Sequence, residues 1–179
     1  MAPLARAVAR RGALIAALAL AACGERPPAA PAQPIVFSHR IHVAVNAIGC
    51  TSCHASAEHA PVAGIPSMER CRGCHKFVKE DPQDPAVTAQ IQALLKYLDD
   101  DKAIDWVRVH RLPDHVYFTH ERHVRAGLRC QECHGEVEKM EAVRQATPLT
   151  MGWCLACHHR MQREKPGRER LTDCWTCHK

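Results

Sequence analysis

The sequence predicts a mostly irregular and α-helical fold, in which two similar modules are followed by a C-terminal addition. One observation is a Cys-x-x-Cys-His pattern that occurs five times along the 179 residues. Another is a Phe-x-His-x-x-His segment that precedes both the first and the third copies. The last is a scarcity of aromatic side chains, since the chain has three Phe, three Trp and two Tyr. Such a chain has to obtain much of its apolar bulk from something other than its own side chains.

Each copy of the repeated pattern is a predicted attachment site for haem c. The two thiols form thioethers with the porphyrin, and the histidine becomes the proximal ligand of the iron. In chain order, the first to fifth pentads assign the thioethers to Cys50 and Cys53, Cys71 and Cys74, Cys130 and Cys133, Cys154 and Cys157, and Cys174 and Cys177. The proximal ligands are then His54, His75, His134, His158 and His178. We therefore expect five covalently bound haem c groups.

The alternative is a zinc-cluster or dithiol protein, which also uses CxxC pairs. Zinc ribbons leave the residue after the pair free, whereas all five pairs here are followed by histidine. Haem would also provide the missing apolar bulk, so the apoprotein is expected to be largely unfolded. The formal charge falls from +5 to about +2 once the three N-terminal arginines are discounted, and haem propionates add negative charge. Nucleic acid is therefore not an expected partner.

Residues 1–22 are predicted to be a lipoprotein signal peptide. Three arginines precede an uncharged run, Gly12 to Ala22, that is too short to span a bilayer. The run ends in Leu-Ala-Ala-Cys, which resembles a bacterial lipobox and predicts that Cys23 is acylated and holds the protein at a membrane surface. An ordinary signal peptide or an uncleaved anchor is the alternative. Residues 23–34 contain four prolines and are predicted to form a semi-extended tether to a folded domain at 35–179.

The folded domain shows an internal duplication. Phe37 and Phe118 begin the two Phe-x-His-x-x-His segments and are offset by 81 residues, while the following pentads are offset by 80 and 83. The sequence therefore predicts di-haem modules at 35–82 and 116–160, and a fifth haem at 161–179. A linker helix is predicted over 85–100, because Asp84-Pro85 is a typical helix start and apolar residues follow at helical spacing. A second short helix is predicted over Val137–Val143, with Met140 on its apolar side.

A low-spin haem iron needs a second axial ligand, usually His or Met. Histidines spaced i, i+3 share a helical face, so the two members of such a pair can reach different irons. The distal candidates are His39, His42, His110, His120 and His123. The weaker candidates are His159, Met151 and Met140, and the two methionines have packing as the alternative role. The remaining histidines, His59 and His115, are expected at the surface.

The segments that carry these residues resemble a known family. F-x-H-x-x-H followed by CxxCH resembles class III multihaem cytochromes c. The longer runs WVRVHRLPDHVYF (residues 106–118) and PLTMGWC (148–154) are similar to the pentahaem cytochrome c subunit of alternative complex III, and the resemblance covers about 35–179. It implies the same five distal histidines. The chain departs from the family in having a lipobox where a transmembrane anchor is usual.

The resemblance implies a non-catalytic electron-transfer subunit of a quinol-oxidising respiratory complex. Its expected partners are an iron–sulfur subunit, a quinol-site membrane subunit and a redox-partner cytochrome or oxidase. The expected location is the periplasmic face of a bacterial membrane, with the inner membrane favoured. The haem subunit of a quinone-reducing complex is one alternative. A multihaem enzyme acting on nitrite or hydroxylamine is another, and it would need an iron with an open axial position.

Overall fold

The computed structural model describes residues 28–165 and 167–178. The predicted signal peptide, Cys23 and the first residues of the predicted tether lie outside the described residues. The α-helices of the described part are α1 (Cys50–Cys53), α2 (Met68–His75), α3 (Pro85–Asp99), α4 (His120–Arg125), α5 (Gln131–His134), α6 (Met151–Glu164) and α7 (Cys174–Cys177). Shorter turns are a π-helical turn at Arg40–Val45 and 3₁₀ turns at Ala55–Glu58, Val137–Lys139 and Glu169–Thr172.

The described residues contain no β-strand, which confirms the mostly irregular and α-helical character predicted for the fold. The one β-type pairing among them is an isolated antiparallel bridge between Val116 and His178. No helix in the described ranges has the length and apolar character needed to cross a membrane.

Helix α3 begins where the sequence predicts. The side chain of Asp84 accepts hydrogen bonds from the backbone N–H groups of Ala86 and Val87 at 2.8 and 3.3 Å, and Pro85 occupies the first helical position. These contacts satisfy backbone donors that have no partner inside the helix. The helix ends at Asp99, which is one residue before the predicted boundary.

A small apolar core lies between α3 and the first module. Ile35, Leu94, Leu98 and Ile104 are buried together, and Met68, Cys71 and Trp106 are among the side chains packed on them. The Arg72 guanidinium donates a hydrogen bond to the carbonyl of Leu98 at 2.7 Å. Helix α3 therefore packs directly against the second pentad.

The predicted helix over Val137–Val143 is wrong. This segment forms a single 3₁₀ turn, Val137–Lys139, and the backbone is extended at Met140. The carbonyl of Met140 accepts a hydrogen bond from the Arg40 N–H at 3.1 Å, and its side chain is buried. A tertiary hydrogen bond to the first module has replaced the helical one.

The two halves of the chain are joined through α4. The turn Ala55–Glu58, which directly follows the first pentad, packs against this helix. The backbone N–H groups of His120 and Glu121 donate to the carbonyls of Pro61 and Ala60 at 3.0 and 3.2 Å. This junction places the first and third pentads side by side.

Candidate functional site

All five pentads lie at least partly on helical turns, which brings the two cysteines of each pair to one side of the backbone. The ten cysteines of the pentads are free of disulfides. No group of three or more His, Cys, Asp or Glu side chains in the described ranges is arranged to hold a metal ion. Each pentad offers two thiols and one histidine.

The two Phe-x-His-x-x-His segments share one side-chain arrangement. Phe37 stacks on His42 with ring centroids 4.2 Å apart, and Phe118 stacks on His123 at 4.5 Å. Each phenylalanine also meets the earlier histidine of its segment edge to face at 4.9 Å, with angles of 81° at His39 and 89° at His120. The sequence duplication is therefore also a structural one at these rings.

Backbone carbonyls fix the orientation of many of these imidazoles. Nδ1 of His42 lies 2.8 Å from the Ser38 carbonyl, and Nδ1 of His123 lies 2.8 Å from the Thr119 carbonyl. The same ring nitrogen meets a carbonyl in three further cases, at distances of 2.7–3.2 Å: His54 with Gly64, His75 with Val78, and His120 with Pro61. A carbonyl at Nδ1 places the ring proton there and leaves Nε2 free to bind a metal.

The spacing of facing rings fits axial ligation of an iron. Two metal–imidazole bonds of about 2.0 Å, with roughly 1 Å from each nitrogen to its ring centre, place two rings on one metal with centroids about 6 Å apart. Centroids are 6.2 Å apart in three pairs, each made of a proximal and a distal candidate: His42 with His75, His120 with His134, and His123 with His158. Among the predicted ligands in the described residues, His39 and His158 each have a buried Nδ1 without a hydrogen-bond partner.

Electrostatics keep several of these imidazoles neutral. Burial, together with the nearby His54 and His42, lowers the pKa of His39 to about 4. Burial, together with His110, His120 and His54, lowers the pKa of His134 to about 4. Both side chains are then uncharged at neutral pH, which is the form that ligates metals. The effect of His54 on His39 also brings the first distal candidate within electrostatic range of the first proximal one.

The two histidines of the 106–118 run each lie beside a histidine of a pentad. His110 lies edge-on to His134, with centroids 4.4 Å apart and planes at 85°. His115, expected at the surface, is exposed but stacks on the proximal His178 at 5.6 Å and 23°. No local sequence pattern marked this contact, because it depends on the backbone bridge between Val116 and His178.

The weaker candidates are dispersed. His159 is exposed on α6, and the Met151 side chain at the start of that helix is also exposed. Met140 is buried where the first and second modules meet. His59 is exposed and lies 4.0 Å from the Glu58 carboxylate. Neither these three candidates nor His59 is paired with a proximal ring in the contacts of the described residues.

The effects of the cysteines on one another's thiol pKa show which pentads lie close together. Burial raises the thiol pKa at Cys71, Cys130, Cys133 and Cys154, and a nearby cysteine from another pentad raises it further in each case. These neighbours are Cys53 for Cys71, Cys50 for Cys130, Cys157 and Cys154 for Cys133, and Cys177 for Cys154. The pentads are therefore adjacent in the order second, first, third, fourth, fifth.

Backbone and side-chain contacts support this order. The junction at α4 joins the first and third pentads, and the Thr147 hydroxyl, near the start of α6, donates to the Cys133 carbonyl at 2.7 Å. Helix α6 contacts the turn Glu169–Thr172, where the Gln162 side-chain amide donates to the Glu169 carbonyl at 2.8 Å. The five pentads thus follow one another in a continuous row.

Comparison with known proteins agrees with this site. Residues 116–179 match the family described as cytochrome c7 and related cytochrome c. The chain is 35% identical over 103 residues to the multiheme cytochrome c subunit of menaquinone reductase from Nitratidesulfovibrio vulgaris. The match covers 57% of this chain, which spans 45% of the length of that relative. Similarity to cytochromes c implies covalent haem c, and the chain is in these respects similar to multihaem cytochromes c of the c7 type.

Proposed function

We propose that the chain is the haem-carrying electron-transfer subunit of a quinone-linked respiratory complex, and that it binds five haem c groups. The observation that carries the proposal is the repeated placement of a second imidazole about 6 Å from a proximal one. When bound, haem supplies an iron that alternates between Fe(III) and Fe(II) and so carries one electron. The cysteines of the pentads would hold the porphyrins by thioethers, and the paired histidines would ligate the iron.

The proposed module boundaries group these three pairs with His39 and the first pentad. In the first module, 35–82, His39 serves the first pentad and His42 serves the second. In the second module, 116–160, His120 serves the third pentad and His123 serves the fourth. Segment 161–179 carries the fifth. Filling both axial positions favours electron transfer over substrate chemistry, because an enzyme needs one position open.

The row of pentads also suggests where partner subunits dock. The second pentad, packed against α3, is at one end of the row, and the fifth, on α7, is at the other. We propose that donor and acceptor subunits contact these two ends, since the first, third and fourth pentads have neighbours on both sides. The resemblance to alternative complex III favours an iron–sulfur subunit as donor and a cytochrome or oxidase as acceptor.

Electron flow in the opposite direction, towards quinone, has separate support. The relative from Nitratidesulfovibrio vulgaris is named as a menaquinone reductase subunit. That name favours flow from a periplasmic donor towards quinone. The two directions use the same pentads and ligands, and they differ in the redox potentials of donor and acceptor.

Tethering at the periplasmic face of a membrane completes the proposal. Acylation of Cys23 would hold the chain at the bilayer without a spanning segment.

The deciding experiment is purification of the tagged full-length chain from its native membranes in mild detergent, with a Cys23→Ser variant as control. We expect co-purified quinone-site and iron–sulfur subunits, and membrane release of the variant. Recovery of the wild-type chain alone in the soluble fraction would contradict the proposal.

Experiments on the purified complex also determine the direction of electron flow. A quinol-oxidising complex reduces the haems on addition of quinol and passes the electrons to a cytochrome. A quinone-reducing complex oxidises its dithionite-reduced haems on addition of menaquinone. A complex whose haem spectrum responds to neither compound would overturn the quinone link.

A further inference from the structure

His115 is held against His178 by the backbone rather than by its own side chain. Val116, the next residue, forms the antiparallel bridge with His178, and the Tyr117 N–H donates to the Cys177 carbonyl at 2.6 Å. The Val116 N–H also closes a turn onto the Pro113 carbonyl at 2.9 Å. These bonds fix both ends of the short segment that carries His115. The centroid of its ring therefore lies 5.6 Å from that of the fifth proximal ring, with the two planes tilted by 23°.

The ring of His110 is oriented differently with respect to His134. Its ring stands almost perpendicular to that of His134, and at 4.4 Å the centroids are too close to have an iron between them. The facing position at His134 belongs to His120, whose ring is 6.2 Å away and tilted by 6°. Nε2 of His110 instead lies 3.4 Å from Nδ1 of His134, which is the nitrogen opposite the one that would bind iron.

We infer that His115 is the distal ligand of the iron attached at the fifth pentad, and that His110 is a positioning residue for the proximal His134. The inference rests on the proposed function, since it needs five haems on the chain. It changes one of the five distal ligands expected from the sequence. His39, His42, His120 and His123 keep their proposed roles.

The role of His110 follows from the ring nitrogens. When Nε2 of His134 binds iron, its proton sits on Nδ1, which donates to Nε2 of His110. Carbonyl oxygens accept the corresponding bond from two other proximal rings, at Gly64 for His54 and at Val78 for His75. An acceptor at Nδ1 fixes the ring and makes the imidazole a more basic ligand, which stabilises Fe(III). Removing the acceptor therefore raises the potential of that one haem.

The test uses the holoprotein with all its haems, and its readouts are low-temperature EPR and potentiometric titration. We expect His115→Ala to convert one of five ferric haems from low-spin to high-spin. The exposed His59 provides a matched control, and His59→Ala should leave five low-spin haems. A new high-spin signal in His110→Ala and none in His115→Ala would overturn the assignment.

A second pair of variants tests the positioning role. His110→Leu should keep five low-spin haems and raise one midpoint potential, whereas His110→Asn, whose amide oxygen can accept from Nδ1 of His134, should move that potential back towards wild type. Equal potentials in both variants and the wild type would refute the role. If His115→Ala fails to mature, His115→Met should retain a low-spin iron with a raised potential, and an unchanged set of potentials would count against His115.

The wild-type protein separates failure of this inference from failure of the proposed function. Fewer than five haems in the unsubstituted protein would overturn the proposed function before any variant is compared. Five haems with an unaltered spin state in His115→Ala would overturn the ligand assignment alone.

Discussion

The rings of His123 and His158 face each other with centroids 6.2 Å apart and planes tilted by 25°. His42 and His75 repeat this separation in the first module, at an angle of 47°. In both predicted modules the later histidine of the Phe-x-His-x-x-His segment faces the histidine of that module's later pentad. The spacing is thus conserved between the two halves while the ring angle varies.

Loss of a facing imidazole should change the spin state of one haem. We expect His42→Ala and His123→Ala each to give one high-spin ferric haem per chain, because each removes a proposed axial ligand. EPR of the oxidised holoprotein measures this, and His159→Ala on the exposed side of α6 is the control. Five low-spin haems in His123→Ala would show that His158 has another partner.

Removal of the cofactor should remove most of the tertiary structure. The buried apolar side chains form only a small cluster around Leu94 and Leu98, and no large side chain in the described residues is fully buried. Expression without haem-attachment machinery should therefore give a chain with reduced helicity and no cooperative thermal transition in circular dichroism. A sharp transition at the holoprotein midpoint would contradict this.

Gly135 should be intolerant of substitution. It follows the proximal His134 with φ 71° and ψ −169°, and an added Cβ would lie 2.6 Å from the Ala146 Cβ. This backbone region costs a residue with a side chain roughly 1–3 kcal/mol, before the clash is counted. Gly135→Ala should lower the thermal midpoint of the holoprotein, whereas Gly152→Ala, with open space around it, should not. Equal midpoints for the two variants would contradict the geometry.

Helix α3 depends on its N-terminal cap. Asp84→Ala removes the acceptor for two backbone N–H groups and should lower the free energy of unfolding by about 1 kcal/mol. Asp99→Ala is the control, since a carboxylate in the last helical turn gains nothing from the helix dipole. Chemical denaturation followed at 222 nm compares the two. A larger loss in Asp99→Ala would refute the capping role.

Sequence reasoning was most reliable where the signal is local. Two adjacent residues, Asp84 and Pro85, determine where α3 begins. The low strand content follows from the pentad spacing and the composition. The duplicated Phe-x-His-x-x-His segments likewise carry their geometry within six residues, because Phe37 and Phe118 each stack on a histidine five positions later.

It failed where distant segments decide the local structure. The Val137–Val143 helix stops at Lys139 because the Met140 carbonyl bonds to the Arg40 N–H, about one hundred residues earlier. The contact of His115 with His178 similarly requires the bridge at Val116, which no periodic pattern in the sequence predicts. In both cases a long-range backbone contact outweighs the local pattern.

Intact-mass spectrometry of the purified holoprotein tests the central claim most directly. The account predicts a mass that exceeds that of the mature polypeptide by five covalently attached haems, one for each pentad. A chain that matures fully in its native host with fewer than five haems would contradict it.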